Sequence, residues 1–538
     1  MQFPKYISFL LALLVPLTAF NQSDPDYVRF MNQGKDKLEK NDFMGAIAQF
    51  KAANISTDEP SEKAEVDDML RKTYNAMQEL SAKNAALAKD LEIKAARNLV
   101  LYDASRLSVL ARLEMERGDS LEAFKHAYEA TQIKGDNDMD FVTQTYGDAA
   151  YRYYRKRINL PSNGLIDLAF SPNELAIMVL GTTNQHLFVM NKTGKLLLKI
   201  QHPYMMQSAK YSKDGQMILV NASDHSASIW DTEGTILSSF EGHSQRIGTP
   251  LLSEDNQKVL TFSKDGSAIL WDTSGQIAAK LVGHTKGVRK GYFSPDGTKI
   301  LTVSADGSAK LWNTDGQHLS DMQHGGTWLY NAIFSPSGDR ILTTAADRSP
   351  RLWDVEGNLL KTLSGHDDLA TQAIYSPDGS RIFTYGAVKT GLLWDGSGNL
   401  LHQLAGHQEK ITATAFSNDG TLLSTASKDG KLRLWKIDGQ LVFEKDFHIM
   451  EVSGIVFSPD GSQILTSSND KTAKLWDLRG NLLMDMDGFD SLVTSATFSA
   501  NGDYLLLGLS SGDMIITPNP NIVPRLIENN PLPGSINK

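Results

Sequence analysis

The stretch SKDGSAILWDTSG, Ser263 to Gly275, sets a serine two residues before an aspartate, and His243 stands twenty residues upstream of Ser263. Serine, histidine and aspartate together are the side chains of a hydrolytic triad: a nucleophile, the base that takes its proton, and the carboxylate that orients the base. The same side chains also satisfy one another in a buried hydrogen-bond chain, where an indole N–H needs an acceptor and a carboxylate needs donors. Spacing decides between the two. The set His243-Ser263-Asp265-Trp271 returns as His284-Ser304-Asp306-Trp312, His407-Ser427-Asp429-Trp435 and His448-Ser468-Asp470-Trp476, each in the same register. A triad needs one exposed nucleophile, an oxyanion hole and a substrate pocket. Four equivalent copies, none specialised, fit a scaffold better.

Other chemistry-bearing runs are weaker. Asp136, Asp138 and Asp140 are spaced like the start of a calcium loop, but Phe141 replaces the required Gly and Gly147 the closing Glu. A solvated loop is expected there. Tyr and Arg alternate in YRYYRKRINL, residues 151–160, as in a single-strand nucleic-acid platform. A net charge of −10 argues against phosphate-driven binding, so the run reads as a last helix turn with packed rings and no nucleic-acid partner. The absence of cysteine excludes disulfides, thiolate nucleophiles and Cys-ligated zinc. No phosphate-binding Gly loop or clustered metal-ligand spacing is present, so no cofactor and no metal are expected.

The repeated sets must be positioned by a repeated element. Seven of the eight tryptophans, Trp230, Trp271, Trp312, Trp353, Trp394, Trp435 and Trp476, follow one another at steps of 41 residues. An aromatic residue before Ser keeps that step from Phe170 to Phe498, with Leu252 in the one gap, which gives nine units between about Leu160 and Pro520. Within a unit, GVRKGYF, KILTVS, AKLWN and QHLSDM read as four short strands joined by the turns SPDG, ADG and TDG. One such sheet cannot bury both faces; radial packing of successive sheets can. With GH, SPDG, S-x-DG and LWD at these positions, the region resembles WD-repeat β-propellers. The resemblance implies a structural chain in each blade, from Trp through Ser and His to Asp. It implies nine blades, or eight with one terminal unit displaced, and a closing strand from 156–160 or from 522–527.

Ahead of the repeats the chain reads as helical from about Asp26 to Arg157. In FMNQGKDKLEKNDFMGAIAQFKAA, small Gly34, Ala46 and Ala53 lie among Phe30, Phe43, Ile47 and Phe50, with a turn near Asn41-Asp42. The spacing resembles a tetratricopeptide repeat. A fainter echo turns at Gly118-Asp119, and residues 61–105 read as two further helices. A small helical bundle and a peptide-binding array both stay open. Residues 1–20 join Lys5 to an apolar run, Ile7 to Phe20, as in a secretory signal peptide. An uncleaved anchor is the other reading of that run; no later segment is apolar enough to span a membrane. The expected organisation is therefore multidomain, α then all-β: 1–20 signal peptide, 25–157 tetratricopeptide-like helices, 160–520 WD-repeat β-propeller, and 521–538 an irregular tail.

Units that break the pattern point to function. Unit six has Gly386 and Val388 for Ser and Asp, so its chain is expected not to form. Unit five has Ala345 for Ser and a displaced histidine, His324; it also carries the off-register Trp328 and, beside it, Tyr330. Trp328 is read either as a plug for a packing gap or as a hot spot with Tyr330, Arg289, Arg246 and Lys410 for a partner protein. The expectation is a non-catalytic interaction scaffold, exported to the periplasm or secreted, in an envelope or extracellular assembly. A propeller hydrolase or lyase acting at the central channel is one alternative. The helical run ARNLVLYDASRLSVLARLEMERGDSLEAFKHAYEA supports another, because it is similar to segments before propellers in bacterial sensor proteins.

Overall fold

The computed structural model describes residues 24–134, 139–160, 164–182 and 185–529. The leader 1–20 and the acidic positions Asp136 and Asp138 lie outside the described residues. The chain divides into two compact units that meet between Tyr102 and Asp103.

In the first unit, helix α1 (Pro25–Glu39) starts at Asp24, whose carboxylate accepts from the Asp26 amide, with Pro25 in the first turn. Asn41 turns the chain with a φ of 60°, and Asp42 caps α2 (Phe43–Ile55) by accepting from the Gly45 amide at 2.9 Å. The two helices bury Tyr27, Met31, Ala46, Phe50 and Ala53 against Val66 of α3. A Cβ at Gly34 would strike the Phe50 ring, so glycine is what lets α1 approach α2. Helix α3 (Pro60–Arg117) is one element of 58 residues. The two helices expected over 61–105 are therefore one: no Gly or Pro interrupts the sequence between Pro60 and Gly118. Residues 77–99 of α3 are exposed throughout.

The second unit begins with the end of α3. Gly118, at φ 83°, turns the chain into α4 (Ser120–Lys134), and α5 (Asp140–Tyr154) follows. Phe124, Ala127, Tyr146, Ala149 and Ala150 form the helical core. The chain then leaves helical geometry, and Lys156–Ile158 is already a strand, so the helical region ends before residue 157.

Nine four-stranded antiparallel sheets follow, with strands named a to d from the inside out. Blade four is typical: Val288–Phe293, Lys299–Ser304, Ser308–Asn313 and His318–Gln323. Alternate residues of strands b and c serve opposite neighbours: Leu260 packs toward blade four, and Val259 toward blade two. One hydrophobic cluster lies between each adjacent pair of blades. The cluster between blades nine and one holds Leu506, Met514 and Ile516 against Ile177 and Phe188. The ring is therefore closed with nine blades, and no terminal unit is displaced.

Blade nine takes its outer strand from the start of the propeller. Lys156 pairs with Ile516, Arg157 with Ile515, and Ile158 with Met514. The other candidate for closure, 522–527, falls in a 3-10 turn (Pro520–Ile522) and α6 (Val523–Asn529). Val523 is buried among residues of α4 and α5. The expected irregular tail is thus helical over its first part, because an apolar side chain there has a core to enter. Among the described residues no helix is long and apolar enough to cross a membrane.

Candidate functional site

In blade four the Trp312 indole N–H donates to Thr302 Oγ1 at 2.9 Å. The same hydroxyl lies 2.9 Å from His284 Nε2, and His284 Nδ1 lies 3.0 Å from Asp306 Oδ2. The chain runs Trp–Thr–His–Asp, and serine is not in it. Thr261, Thr425 and Thr466 hold the equivalent place in blades three, seven and eight. Strand register explains this correction. Trp312 pairs with Ile300, and Thr302 is the next residue on the same face, whereas Ser304 stands at the strand end. Ser304 Oγ instead donates to the Lys286 carbonyl at 2.9 Å and accepts from the Asp306 amide at 3.1 Å, which holds the turn. Ser263, Ser427 and Ser468 do the same in their blades.

Burial pushes the His284 imidazole below its usual value, against the pull of Asp306. Burial acts on the Asp306 carboxyl in the raising direction, yet hydrogen bonds from Ser308 and Thr285 hold it at about 2. A neutral histidine that donates from Nδ1 to Asp306 and accepts at Nε2 from Thr302 satisfies every group. Both ring nitrogens are engaged and the side chain is 1% exposed, so the set has no free base and no reachable nucleophile.

Blade five departs from expectation. His324 lies one residue early, yet it reaches Asp347 at 2.9 Å and Thr343 at 2.7 Å, and Trp353 donates to Thr343 at 2.8 Å. Its chain is complete; Ala345 replaces only the turn serine. In blade six, Trp394 donates to Thr384 at 2.9 Å and His366 Nε2 lies 2.6 Å from it, so three of the four members are linked. Only the carboxylate is lost, to Val388. His366 Nδ1 is consequently buried without a partner, and burial pushes that imidazole down to about 4.

With the chain of blade five complete, no missing member leaves a gap for Trp328 to fill. It is 46% exposed, and the Arg289 guanidinium lies 4.5 Å from the centre of its ring. Arg289 and Arg246 line one pocket of about 280 Å³, with Lys264 at its rim and Asn221, Gly248 and Thr249 among its other lining residues. Arg246 Nε donates to Gln207 Oε1 at 3.0 Å. The pocket exists because strand a of blade three is broken: it keeps only Leu251–Leu252, after an isolated bridge from Ile247 to Ser263. Gly248-Thr249-Pro250 fills the gap, and Pro250 brings no amide to the ladder. That tripeptide was the sequence signal for the pocket; Lys264, Asn221 and Thr249 carry no pattern of their own. Tyr330 is half-buried on the strand Leu329–Phe334, and Lys410 is exposed in blade seven, away from this pocket.

The Tyr-Arg run 151–160 is absorbed by the fold. Tyr153 stacks on Phe124 at 5.3 Å, Arg152 pairs with Asp487 at 3.2 Å, and Arg157 pairs with Asp513 at 2.7 Å. Most of its rings and arginines are thus engaged within the protein.

Nine sheets around a ring, tied by a recurrent Trp–Thr–His–Asp chain, define a β-propeller of WD repeats. The profile of the WD domain, G-beta repeat, matches residues 234–272, 275–313, 317–354, 398–436 and 439–477. Each matched segment contributes strand d of one blade and strands a to c of the next. Blade six, with Val388, falls between the matches. No curated protein matches the chain.

Proposed function

We propose that the protein is a non-catalytic scaffold that holds partner proteins on the propeller face where the a strands begin. The observation that carries the reading is Trp328: a large indole kept exposed, with its ring against Arg289, beside an open pocket. Rigid aromatic and arginine side chains at a pocket edge are the composition of interface hot spots. The WD-repeat fold supports the reading, since such propellers typically present binding surfaces for other proteins. The repeated His and Asp are consumed by the scaffold, which leaves them no catalytic part. The tetratricopeptide-like spacing around Gly34 and Phe50 supports a second docking surface on the helices. The leader at 1–20 supports export, and hence an envelope or extracellular assembly as the setting.

Replacing Trp328, Tyr330 and Arg289 together by Ala is expected to abolish partner crosslinks, recorded by mass spectrometry in the native cell, while the thermal midpoint stays that of the parent. An unchanged set of crosslinks would place the binding face elsewhere.

A further inference from the structure

The propeller is acidic as part of a chain of net charge −10, yet three of its cations gather at one pocket. Several cations of the outer strands are paired within the protein: Lys310 with Asp321 at 2.7 Å, Lys431 with Glu444 at 2.8 Å, Arg433 with Glu444 at 2.7 Å, and Lys474 with Asp485 at 2.6 Å. The three around the broken strand of blade three are not. Among the described residues Arg246, Lys264 and Arg289 face the pocket or its rim with no carboxylate partner.

We propose that this pocket receives the carboxylates of an acidic segment on a partner protein. The inference rests on the scaffold reading and gives its partner a chemistry.

Three features favour that occupant. Arg246 is braced through Nε by Gln207, which leaves its terminal N–H groups to form a fork toward a carboxylate. Arg289 rests against the Trp328 ring, which reduces the side-chain freedom to be lost on binding. A volume of about 280 Å³ suits one or two side chains and not an element of structure. Beyond the cations, exposed Trp328 offers an apolar contact to a residue flanking the acid. The crowding of positive charge is felt by Lys290, whose ammonium is pushed below its usual value by burial and by Arg289. A nucleic acid is disfavoured as the occupant, since the rest of the acidic chain would repel its backbone.

The test uses the full chain and immobilised short peptides with one or two Asp or Glu flanked by apolar residues, beside their Asn and Gln counterparts. Acidic peptides are expected to bind, and their Asn and Gln counterparts about tenfold or more weakly. Arg246→Ala and Arg289→Ala should each weaken acidic binding by about tenfold, and added salt should weaken it further. Arg289→Lys should restore only part, because an ammonium has no fork. Lys195→Ala, on blade one, should bind as the parent does, and melting curves report whether each variant is folded. Equal binding of acidic and neutral peptides, or parental affinity in the Arg246→Ala/Arg289→Ala double variant, would overturn the proposal. Displacement of bound peptide by inorganic phosphate at lower concentration than by acetate would overturn it in favour of a phosphate site. If the Trp328, Tyr330 and Arg289 variant loses its native crosslinks while acidic peptides show no preference, the scaffold reading stands and this inference falls.

Discussion

In blades three to eight a single threonine hydroxyl carries the connection between tryptophan and histidine. Thr302 accepts from Trp312 and meets His284 Nε2, so its loss strands two buried groups at once. Thr302→Val keeps the shape and removes both bonds; the expected cost is about 1–3 kcal/mol, read as a lower urea midpoint. Ser304→Ala removes only the turn contacts and should cost about 1 kcal/mol. The reverse order would return the serine to the chain. The serine was the natural choice from sequence, because it lies a fixed two residues from Asp in each complete set. Fixed spacing could not tell a residue facing the indole from one closing the turn.

At the scale of elements, α5 is held to blade eight by close approach and by one buried carboxyl. Gly147 lies so near the Leu483 carbonyl that a Cβ there would overlap it. Next to it, Asp148 Oδ1 accepts from the Asp485 amide at 2.7 Å. Burial raises the Asp148 carboxyl to about 7, with the Asp485 charge pushing the same way, while the amide bond, Arg112 and Arg152 pull it down. The folded state therefore keeps a proton that the unfolded chain gives up near the ordinary carboxylate value of about 4. The contribution to stability is complete below that value and is lost as pH rises toward about 7. Stability should thus fall across this window, and Asp148→Asn should flatten that part of the profile, measured by denaturant unfolding at successive pH values. An unchanged slope in the variant would remove Asp148 as the source.

For the whole molecule the decisive contact is the one that closes the ring. Strand Lys156–Ile158 precedes blade one in sequence and completes blade nine in space, with Arg157 bound to Asp513 through Nε at 3.0 Å and Nη2 at 2.7 Å. Deleting residues 1–160 leaves blade nine with three strands and exposes the edge Met514–Pro518. Such a chain is expected to melt at lower temperature than one beginning at Asp103, and to associate in light scattering. Equal melting of the two would mean that closure contributes nothing.

The amino-acid sequence by itself determined the step of 41 residues, the four strands per unit and the count of nine units, because each unit writes its own turns and alternation locally. It also placed the histidines, aspartates and tryptophans of the scaffold, and drew attention to Trp328 and Arg289. Tertiary structure alone decided which strand closes the ring, that Thr and not Ser bridges Trp and His, and that His324 tolerates its displacement. It alone brought Arg246 and Arg289 to one pocket at the break in blade three. The reason is common to all four. Each depends on which residues, distant in sequence, face one another across a packed sheet or between blades, and periodicity along a chain carries no record of that.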